Sequence, residues 1–497
     1  MWKNIVIAGG GTAGWMTAAL MTKTLGRAGY NIILVESPNI GSVGVGEATI
    51  PSFVHFNRLL GIDEKDFLRT VKATFKLGIE FVNWNNIGSH YIHGFSGLGD
   101  QGQGLPFYHY WLRWQKNNPK ANIEDHFLAS TFARNKKFVH PDPKIHPLLN
   151  GLGYAYHIDA ALYADYLKQY SLNRGLRYIQ ANINHINLDP STGHIQSLHL
   201  DNDALVQGDF FVDCTGFKSM LLGEALKVPF VSWKKWLRCD RAQVVPTQLT
   251  KQNFVPYTRA IAQSAGWQWR IPLQHRVGNG LVYASDYIND NDAESLLLSN
   301  TDSAALAAPR KIKFEAGMRA RFWEKNCVAV GLSSGFLEPL ESTSIHLIQS
   351  TITRLSLLFP NADTNAVMAK QFNQEAAAEM EKIRDFVILH YYLNNRQKEP
   401  FWYDCANMQI PDSLQHKIDL YQHSGFIYHE HNDVFTEGSW LSVLVGQGLM
   451  PNSSMQMINT MPDHELNAYM NSVQQQIAGL SQRMPIHSDY IHKMLTS

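Results

Sequence analysis

The amino-terminal part of the chain reads IVIAGGGTAG over residues 5–14, an apolar run that leads directly into a glycine-rich turn. The four apolar residues 5–8 predict a buried parallel strand, and residues 15–25 predict a helix. A second apolar run at residues 32–35 predicts another strand, which ends in Glu36. This order of strand, helix and strand indicates one βαβ unit and therefore an α/β fold.

The glycines of this turn have the G-x-G-x-x-G spacing of dinucleotide-binding domains, at Gly9, Gly11 and Gly14. Such glycines permit a tight turn, close approach of a pyrophosphate, and close packing of helix on strand. The helix N-terminus near Thr12 would offer amide donors to a phosphate. Glu36 follows about 20 residues later, where an acid binds a ribose hydroxyl. A simple glycine-rich turn is the alternative, but its place between strand and helix favours dinucleotide binding.

The composition excludes several classes of protein. Of the 497 residues, 43 are Lys or Arg and 43 are Asp or Glu, so the net charge of zero indicates no nucleic-acid partner and no anionic membrane surface. The hydrophobic share of 45% and the charged share of 17% indicate a folded chain. The four cysteines are widely separated, which indicates neither a disulfide framework nor a structural zinc site.

No export signal or membrane segment is predicted. The apolar run at residues 5–8 is too short for a signal peptide, and the longest uncharged stretch, residues 438–462, is too polar for a membrane span. We therefore expect a cytoplasmic protein. His423, His429 and His431 match no closed metal site, so we expect no metal.

The pattern of secondary structure changes along the chain. Residues 195–200 and 210–212 are strand-like runs, whereas residues 366–392 carry apolar residues at roughly helical spacing without Gly or Pro. We therefore place an α/β domain over residues 1–364 and a mostly helical region over residues 365–497.

Three further glycine-containing segments accompany predicted strands. Residues 44–51 read GVGEATIP, residues 212–216 read VDCTG and residues 328–331 read VAVG. Each of them alone is also typical of an ordinary junction between strand and loop.

The segment WQWRIP at residues 267–272 alternates apolar and polar residues, which predicts a strand with both tryptophans on one face. Its motif residues are Trp267, Trp269, Ile271 and Pro272. By itself this pattern also fits a core strand. Together with the segments above and FLEPLEST at residues 336–343, it closely resembles the flavin-dependent tryptophan halogenase family. The W-x-W-x-I-P motif separates that family from other flavin monooxygenases.

The resemblance covers nearly the whole chain, with further matching segments at residues 75–79, 156–160, 390–393, 401–402, 446–448 and 484–487. It implies a Rossmann-type, box-like FAD domain with inserted substrate-contacting segments, and a helical, pyramid-like region over the substrate. It also implies regioselective chlorination or bromination of an electron-rich aromatic, using reduced FAD, oxygen and a halide ion. A separate flavin reductase would supply the FADH2, since no NAD(P)H site is evident.

The family pattern places an active-site lysine in Phe-Lys-Leu, here Lys76, and an active-site glutamate before Ser-Thr, here Glu341. Taken alone, Lys76 would be a surface lysine and Glu341 a solvated or capping charge. The resemblance implies that hypohalous acid forms and that Lys76 holds it or carries its halogen. Glu341 would then offset the positive charge of the halogenated ring and remove its proton.

Three groups of site residues carry over from the family. The flavin-binding segments match Gly9, Gly11, Thr12, Ala13, Gly14, Glu36, Gly46, Glu47, Ala48, Thr49, Asp213 and Gly331. The halide-binding stretch matches Thr343 and Ser344, whose amides would bind the ion. The aromatic substrate cluster matches His93, Phe95, Tyr391, Tyr392, Phe401 and Trp402. Residues 391–402 alone would equally fit a helical core, but aromatic rings also stack well on a flat substrate.

The substrate segments depart from the family at two points. Gly94 replaces a proline between His93 and Phe95. The glutamate that holds the amino group of free tryptophan would have to be Glu399, at a shorter spacing before Phe401. These departures weigh against tryptophan more than against halogenation, and they leave indole, a simple derivative or a larger indole-bearing molecule open.

Two other functions stay open at this point. An FAD-dependent aromatic hydroxylase usually carries Gly-Asp in its second flavin motif, whereas here Leu332 follows Gly331. A catalytically silent flavin-binding protein would not need Lys76 and Glu341. The sequence leaves open the halide, the ring carbon, the reductase, and the choice between monomer and homodimer.

Overall fold

A computed structural model describes residues 3–39, 46–97, 104–360, 365–430 and 433–496. Residues 44 and 45 of the glycine-containing segment GVGEATIP, and His431, lie outside the described residues.

The strands of the described residues are β1 (Asn4–Ala8), β2 (Asn31–Glu36), β3 (Glu47–Ala48), β4 (Thr74–Lys76), β5 (Gly78–Val82), β6 (His90–Gly94), β7 (Ala155–Ile158), β8 (Arg177–Gln180), β9 (Ile183–Leu188), β10 (Ile195–Leu200), β11 (Leu205–Gln207), β12 (Phe210–Asp213), β13 (Phe230–Ser232), β14 (Arg241–Thr247), β15 (Thr258–Gln263), β16 (Gly266–Pro272), β17 (Val277–Tyr283), β18 (Arg310–Lys313), β19 (Gly317–Arg319), β20 (Trp323–Glu324), β21 (Cys327–Ala329) and β22 (Gly335–Phe336).

The α-helices of the same residues are α1 (Thr12–Lys23), α2 (Ser52–Leu60), α3 (Glu64–Val71), α4 (Phe107–Asn117), α5 (Leu128–Arg134), α6 (Ala160–Leu172), α7 (Asp290–Ser299), α8 (Ser344–Leu357), α9 (Asn365–Tyr392), α10 (Pro400–Ala406), α11 (Asp412–Ser424), α12 (Glu437–Gly446), α13 (Asp463–Arg483) and α14 (His487–Thr496).

The chain forms two compact units, and each is built from three separate stretches. The first unit comprises residues 1–73, 158–240 and 313–381, and the second comprises residues 74–157, 241–312 and 382–497. The chain therefore passes repeatedly from one unit to the other. A functional division at residue 364 stays a prediction.

The first unit contains a six-stranded sheet in the order β20-β21-β12-β1-β2-β8. The strands from β21 to β8 run parallel, and β20 is antiparallel to β21. Residues 5–8 of β1 are fully buried, as expected for an apolar central strand of a parallel sheet. The predicted strands and the α/β fold are thereby confirmed.

Helix α1 begins earlier than the sequence predicted. The prediction placed Thr12 and Ala13 in the turn, but in the structure they form the first turn of a helix that ends at Lys23. The reason is the extended backbone of Gly11, with φ −75° and ψ −174°, which lets the helix start at the next residue. The amides of residues 12–14 are consequently helix N-terminal amides, free of intrahelical acceptors.

The second unit contains strands of a seven-stranded sheet in the order β18-β14-β17-β16-β15-β5-β6. From β14 to β6, neighbouring strands are antiparallel except for β15 and β5, which run parallel. The predicted WQWRIP strand is confirmed as β16, an inner strand of this sheet. Trp267, Trp269 and Ile271 are buried on one face, and Gln268 is buried on the other.

The predicted change to helical structure is also confirmed. The pattern at residues 366–392 corresponds to α9, and α10 to α14 follow it. None of the helices in the described part of the chain has the length and apolarity that a membrane span requires.

Candidate functional site

The glycines of the β1–α1 turn, in the first unit, have different structural roles. Gly9 has φ +110°, and a Cβ atom on it would overlap the carbonyl group of Cys214. A Cβ atom on Gly14 would overlap the carbonyl oxygen of Gly9. A Cβ atom on Gly11, by contrast, would meet no described atom within 4 Å. The fold therefore requires Gly9 and Gly14, while Gly11 leaves room where a pyrophosphate could reach the helix amides.

The carboxylate of Glu36 is held at the end of β2 by three donors. It accepts hydrogen bonds from the Tyr178 hydroxyl at 2.6 Å, from Lys168 Nζ at 3.2 Å and from Trp15 Nε1 at 3.3 Å. Its side chain also packs over Gly10, where a Cβ atom would overlap it. Glu36 is thus fixed beside the glycine turn, the position that an acid for the ribose hydroxyls requires.

Asp213 is the last residue of β12, and its carboxylate accepts hydrogen bonds from residues of the following loop. It accepts hydrogen bonds from Thr215 N and Oγ1 at 3.0 and 2.6 Å, and from the amides of Leu221 and Leu222 at 2.9 Å. Asp213 is fully buried. These contacts anchor the loop after β12 and the start of a π-helical turn at residues 220–225.

Gly331 follows β21 and lies against the first turn of α1. A Cβ atom placed on Gly331 would come within 2.9 Å of the Ala13 Cβ. The structure therefore brings together four of the predicted flavin segments of the first unit, at the glycine turn, Glu36, Asp213 and Gly331. Their arrangement, with open space at Gly11 and unused helix amides, fits a bound dinucleotide such as FAD.

The residues after the second glycine motif are largely buried. Gly46, Ala48 and Thr49 are buried, whereas Glu47 is partly exposed. Its carboxyl group is nevertheless desolvated by its surroundings, which raises the pKa of Glu47 to about 7. A large fraction of this carboxyl group is therefore neutral at physiological pH, and it can donate a hydrogen bond as well as accept one.

Glu341, also in the first unit, is fully buried in a 3-10 turn, Pro339–Glu341. Ser342 follows with φ +60°, a left-handed conformation that is costly for a serine. Thr343 is also fully buried and directly precedes Ser344, the first residue of α8. The predicted base and the predicted halide residues thus share one strained loop at a helix N-terminus.

Lys76, in the second unit, is fully buried on β4, so it is not a surface lysine. Its Nζ lies 5.1 Å from the centre of the Phe95 ring, within range of a cation–π interaction. Lysine is seldom fully buried, because its ammonium group loses its hydration. The burial of this cation beside a predicted substrate residue indicates a functional role.

His157 is a neighbour of Lys76 to which the sequence analysis gave no role. Its ring nitrogens each lie 3.0 Å from a hydroxyl oxygen, Nδ1 from Thr74 and Nε2 from Thr258. Burial, together with the charge of Lys76, holds the pKa of His157 well below its usual value. A neutral imidazole therefore lies near the ammonium group and does not compete with it as a cation.

His93 and Phe95 flank Gly94 at the end of β6. The His93 ring is almost completely buried and meets the Phe95 ring edge-to-face, with 6.2 Å between centres. A Cβ atom on Gly94 would lie 2.7 Å from Ser130 Oγ and 2.9 Å from Ser130 N. This close approach explains why glycine stands where the family has proline.

The aromatic residues of α9 and α10 pack against one another. Trp402 stacks on Tyr391 with 5.8 Å between ring centres, and it meets Trp84 edge-to-face at 5.3 Å. Trp84 also contacts Trp267 of the WQWRIP strand at 6.3 Å, and Phe401 is buried beside Trp402. Trp84 was not predicted, since it is a single tryptophan in a polar loop. Tyr392 is only partly buried.

Glu399 is engaged by Arg396. The guanidinium Nε and Nη2 of Arg396 donate to the two carboxylate oxygens at 2.5 and 2.7 Å. Arg396 also donates to Asn83 O at 3.1 Å and lies over the Trp402 ring at 4.8 Å. The carboxylate is thus neutralised by a bidentate partner that is itself buried.

Comparisons with known proteins identify similar halogenases over nearly the whole length of the chain. A family model described as "Tryptophan halogenase" matches residues 4–463. The chain is 34% identical to the 7-chloro-L-tryptophan 6-halogenase KtzR of Kutzneria, over 99% of both chains. It superposes with a TM-score of 0.95 on Xcc4156, a flavin-dependent halogenase from Xanthomonas campestris, with 44% identity over 99% of this chain and 98% of the other. It also superposes with a TM-score of 0.95 on BrvH, a flavin-dependent halogenase from Brevundimonas, with 41% sequence identity over 99% of both chains.

Proposed function

The chain belongs to the tryptophan halogenase family, and from this premise we propose that it halogenates an indole without an amino-acid group, with Lys76 and Glu341 as catalytic residues. The family membership makes it a flavin-dependent halogenase that uses reduced FAD, halide and oxygen. A separate flavin reductase supplies the reduced flavin, and the substrate is aromatic. The two residue roles and the narrower substrate are the proposal.

The residues that would hold FAD are those of the first unit. The helix amides after Gly11 would bind the pyrophosphate, Glu36 the ribose, and residues 46–49 the flavin end. When bound and reduced, the flavin supplies with oxygen the two-electron oxidation that turns halide into an electrophilic halogen.

The complete burial of Lys76 is the observation that carries the proposal. An ammonium group has three donors and can hold hypohalous acid at one fixed position. The ammonium group lies 5.1 Å from the centre of the Phe95 ring, and the neutral imidazole of His157 lies near it. A buried environment strengthens the hydrogen bonds that Lys76 donates to the oxidant. It also excludes water, which would otherwise carry the hypohalous acid away from Lys76.

Glu341 would complete the reaction. Attack of the ring on hypohalous acid forms the carbon–halogen bond and breaks the halogen–oxygen bond, and the oxygen leaves as water with a proton from the Lys76 ammonium group. The ring is left as a cation with a proton on the substituted carbon. A buried carboxylate stabilises that cation and accepts the proton, which restores aromaticity. Full burial of Glu341 in a strained turn supports this role, because it fixes the carboxyl group in position.

The ion pair between Glu399 and Arg396 supports an indole without an amino group as the substrate. Free tryptophan carries an ammonium group that needs an anionic partner. Glu399 is the carboxylate that the sequence offers for this purpose, and both its oxygens are bound by Arg396. Breaking that pair would leave the buried guanidinium of Arg396 without its anion, which is unfavourable. We therefore propose indole, or an indole with an uncharged substituent, as the substrate.

Single-turnover assays of variants test the two residue roles. Lys76→Met should give no halogenated indole, and Glu341→Gln should slow product formation about 100-fold or more, as expected for loss of a general base. Both should bind FAD like the wild type. Lys116→Met, an exposed lysine on α4 of the same unit, is the matched control and should be fully active. Normal halogenation by Lys76→Met would refute the proposal.

A further inference from the structure

Three side chains of the first unit form a hydrogen-bonded series outside the predicted site residues. Ser52 Oγ lies 2.9 Å from His346 Nδ1, and His346 Nε2 lies 3.0 Å from Glu379 Oε1. Ser52 is the first residue of α2 and directly follows the flavin loop, defined here as residues 46–51. His346 lies in the first turn of α8, which begins in the halide loop, residues 341–344. The series therefore joins the two loops.

The carboxylate of Glu379 fixes the histidine. It accepts further hydrogen bonds from Arg354 Nη2 at 2.7 Å and from Ser350 Oγ at 3.0 Å. Burial alone would raise the pKa of Glu379, but the hydrogen bond from His346 and the charge of Arg354 outweigh it and lower the pKa to about 2. An ionised Glu379 requires a proton on His346 Nε2, which leaves Nδ1 facing the Ser52 hydroxyl.

A second contact from α8 holds the backbone of the same serine. Gln349 Nε2 donates to Ser52 O at 3.0 Å. Helix α8 thus contacts both the side chain and the main chain of Ser52, the residue that directly follows the flavin loop. These contacts come from two residues of α8, His346 and Gln349.

The order Ser, His, Glu also occurs in serine hydrolases, but the surroundings of Ser52 differ. A hydrolase needs free backbone amides beside the nucleophile to stabilise an oxyanion. Here the next two amides, of Phe53 and Val54, donate to the carbonyl groups of Ile50 and Pro51 at 3.0 and 3.1 Å. The geometry around Ser52 therefore fits a structural contact between two loops better than a catalytic nucleophile.

We infer that Ser52, His346 and Glu379 form a clasp that couples the binding of FAD to the binding of halide. The inference rests on the proposed function, because it takes the two loops as the flavin and halide contacts. A ligand that orders one loop orders the other through the clasp, so each ligand raises the affinity for the other by the same factor. The three side chains are positioning residues and touch neither ligand.

Equilibrium titration of FAD measures this coupling without turnover. The Kd for oxidised FAD is determined by flavin fluorescence in saturating bromide and in a gluconate salt of equal ionic strength. Bromide should lower the Kd of the wild type by about 3- to 10-fold, the equivalent of one hydrogen bond. In Ser52→Ala and His346→Phe the ratio of the two Kd values should be about 1.

Two control variants keep the clasp. Ser350→Ala removes another hydrogen bond to the same carboxylate, and Ser52→Thr retains the hydroxyl, so both should keep the wild-type ratio. A ratio of 1 in the wild type, or an unchanged ratio in Ser52→Ala, would overturn the clasp. Absence of halogenated product from a wild type that shows the expected ratios would instead contradict the proposed function and leave the coupling established.

Discussion

At the scale of single residues, Glu47 shows how burial acts on a carboxyl group within the flavin loop. Burial raises its pKa from 4.5 to about 7. Between these two values the folded protein binds more protons at this position than the unfolded chain does. The contribution of Glu47 to stability therefore falls as the pH rises through this window, and it stays low above pH 7.

We predict that Glu47→Gln removes this pH dependence. Near pH 4.5 the variant and the wild type should differ by less than about 0.5 kcal/mol, because Glu47 is neutral in the folded protein and only half ionised in the unfolded chain. At pH 8 the variant should be more stable by about 1–3 kcal/mol, since the wild type buries a charge there. Urea unfolding without FAD at the two pH values measures the difference. The exposed Glu465→Gln is the control, and an equal difference at both pH values would contradict the prediction.

Lys76 illustrates which residue properties the sequence could and could not provide. Its residue type and local pattern are those of a surface lysine, and only the resemblance to a family singled it out. The structure buries it completely, because β4 pairs with β7 and places Lys76 opposite Ala155. This pairing joins segments about 80 residues apart, which local periodicity does not register. His157, which lies opposite Thr74 in the same pairing, was missed for the same reason.

At the scale of elements, two glycines of the β1–α1 turn have different roles, one in folding and one in leaving space for a ligand. Gly9 is required by the fold, because its φ is +110° and a side chain would overlap Cys214. Gly11 has an ordinary backbone conformation, and the space beside it is open. Stability and ligand binding should therefore depend on different glycines of one motif.

We predict opposite outcomes for alanine at these two positions. Gly9→Ala should lower the free energy of unfolding by more than about 3 kcal/mol, since it adds both a steric overlap and an unfavourable φ. Gly11→Ala should change stability by less than about 1 kcal/mol but raise the Kd for FAD at least about 10-fold. Urea unfolding and FAD titration measure the two effects. Normal FAD binding by Gly11→Ala would show that the pyrophosphate lies elsewhere.

The elements with strong periodicity were predicted well from the sequence. The strand at β16 and the long helix α9 were recognised from alternation and from helical spacing, because their burial repeats along the chain. The start of α1 was misplaced by three residues. Glycines weaken a helix in the sequence pattern, but here Gly14 is kept inside the helix to let it pack on the strand.

At the scale of the whole molecule, the chain order does not follow the compact units. The chain changes unit after residues 73, 157, 240, 312 and 381. The sequence pattern changes once, near residue 365, since the helices of the last part are consecutive. The division into two interleaved units produces no such change in the pattern, because the contacts that create the units join distant segments. Lys76 and Glu341 consequently belong to different units.

For the whole enzyme, we propose that Lys76 directs the halogenation of an indole without a charged amino-acid group. The most direct test is mass spectrometry of products from an equimolar mixture of indole and tryptophan, with FAD, a flavin reductase, NADH, oxygen and bromide. We predict a bromine isotope doublet in indole that exceeds any in tryptophan by at least about 10-fold, with wild type and Lys116→Met but not with Lys76→Met. A doublet mainly in tryptophan, an added oxygen, or normal bromination by Lys76→Met would contradict the claim.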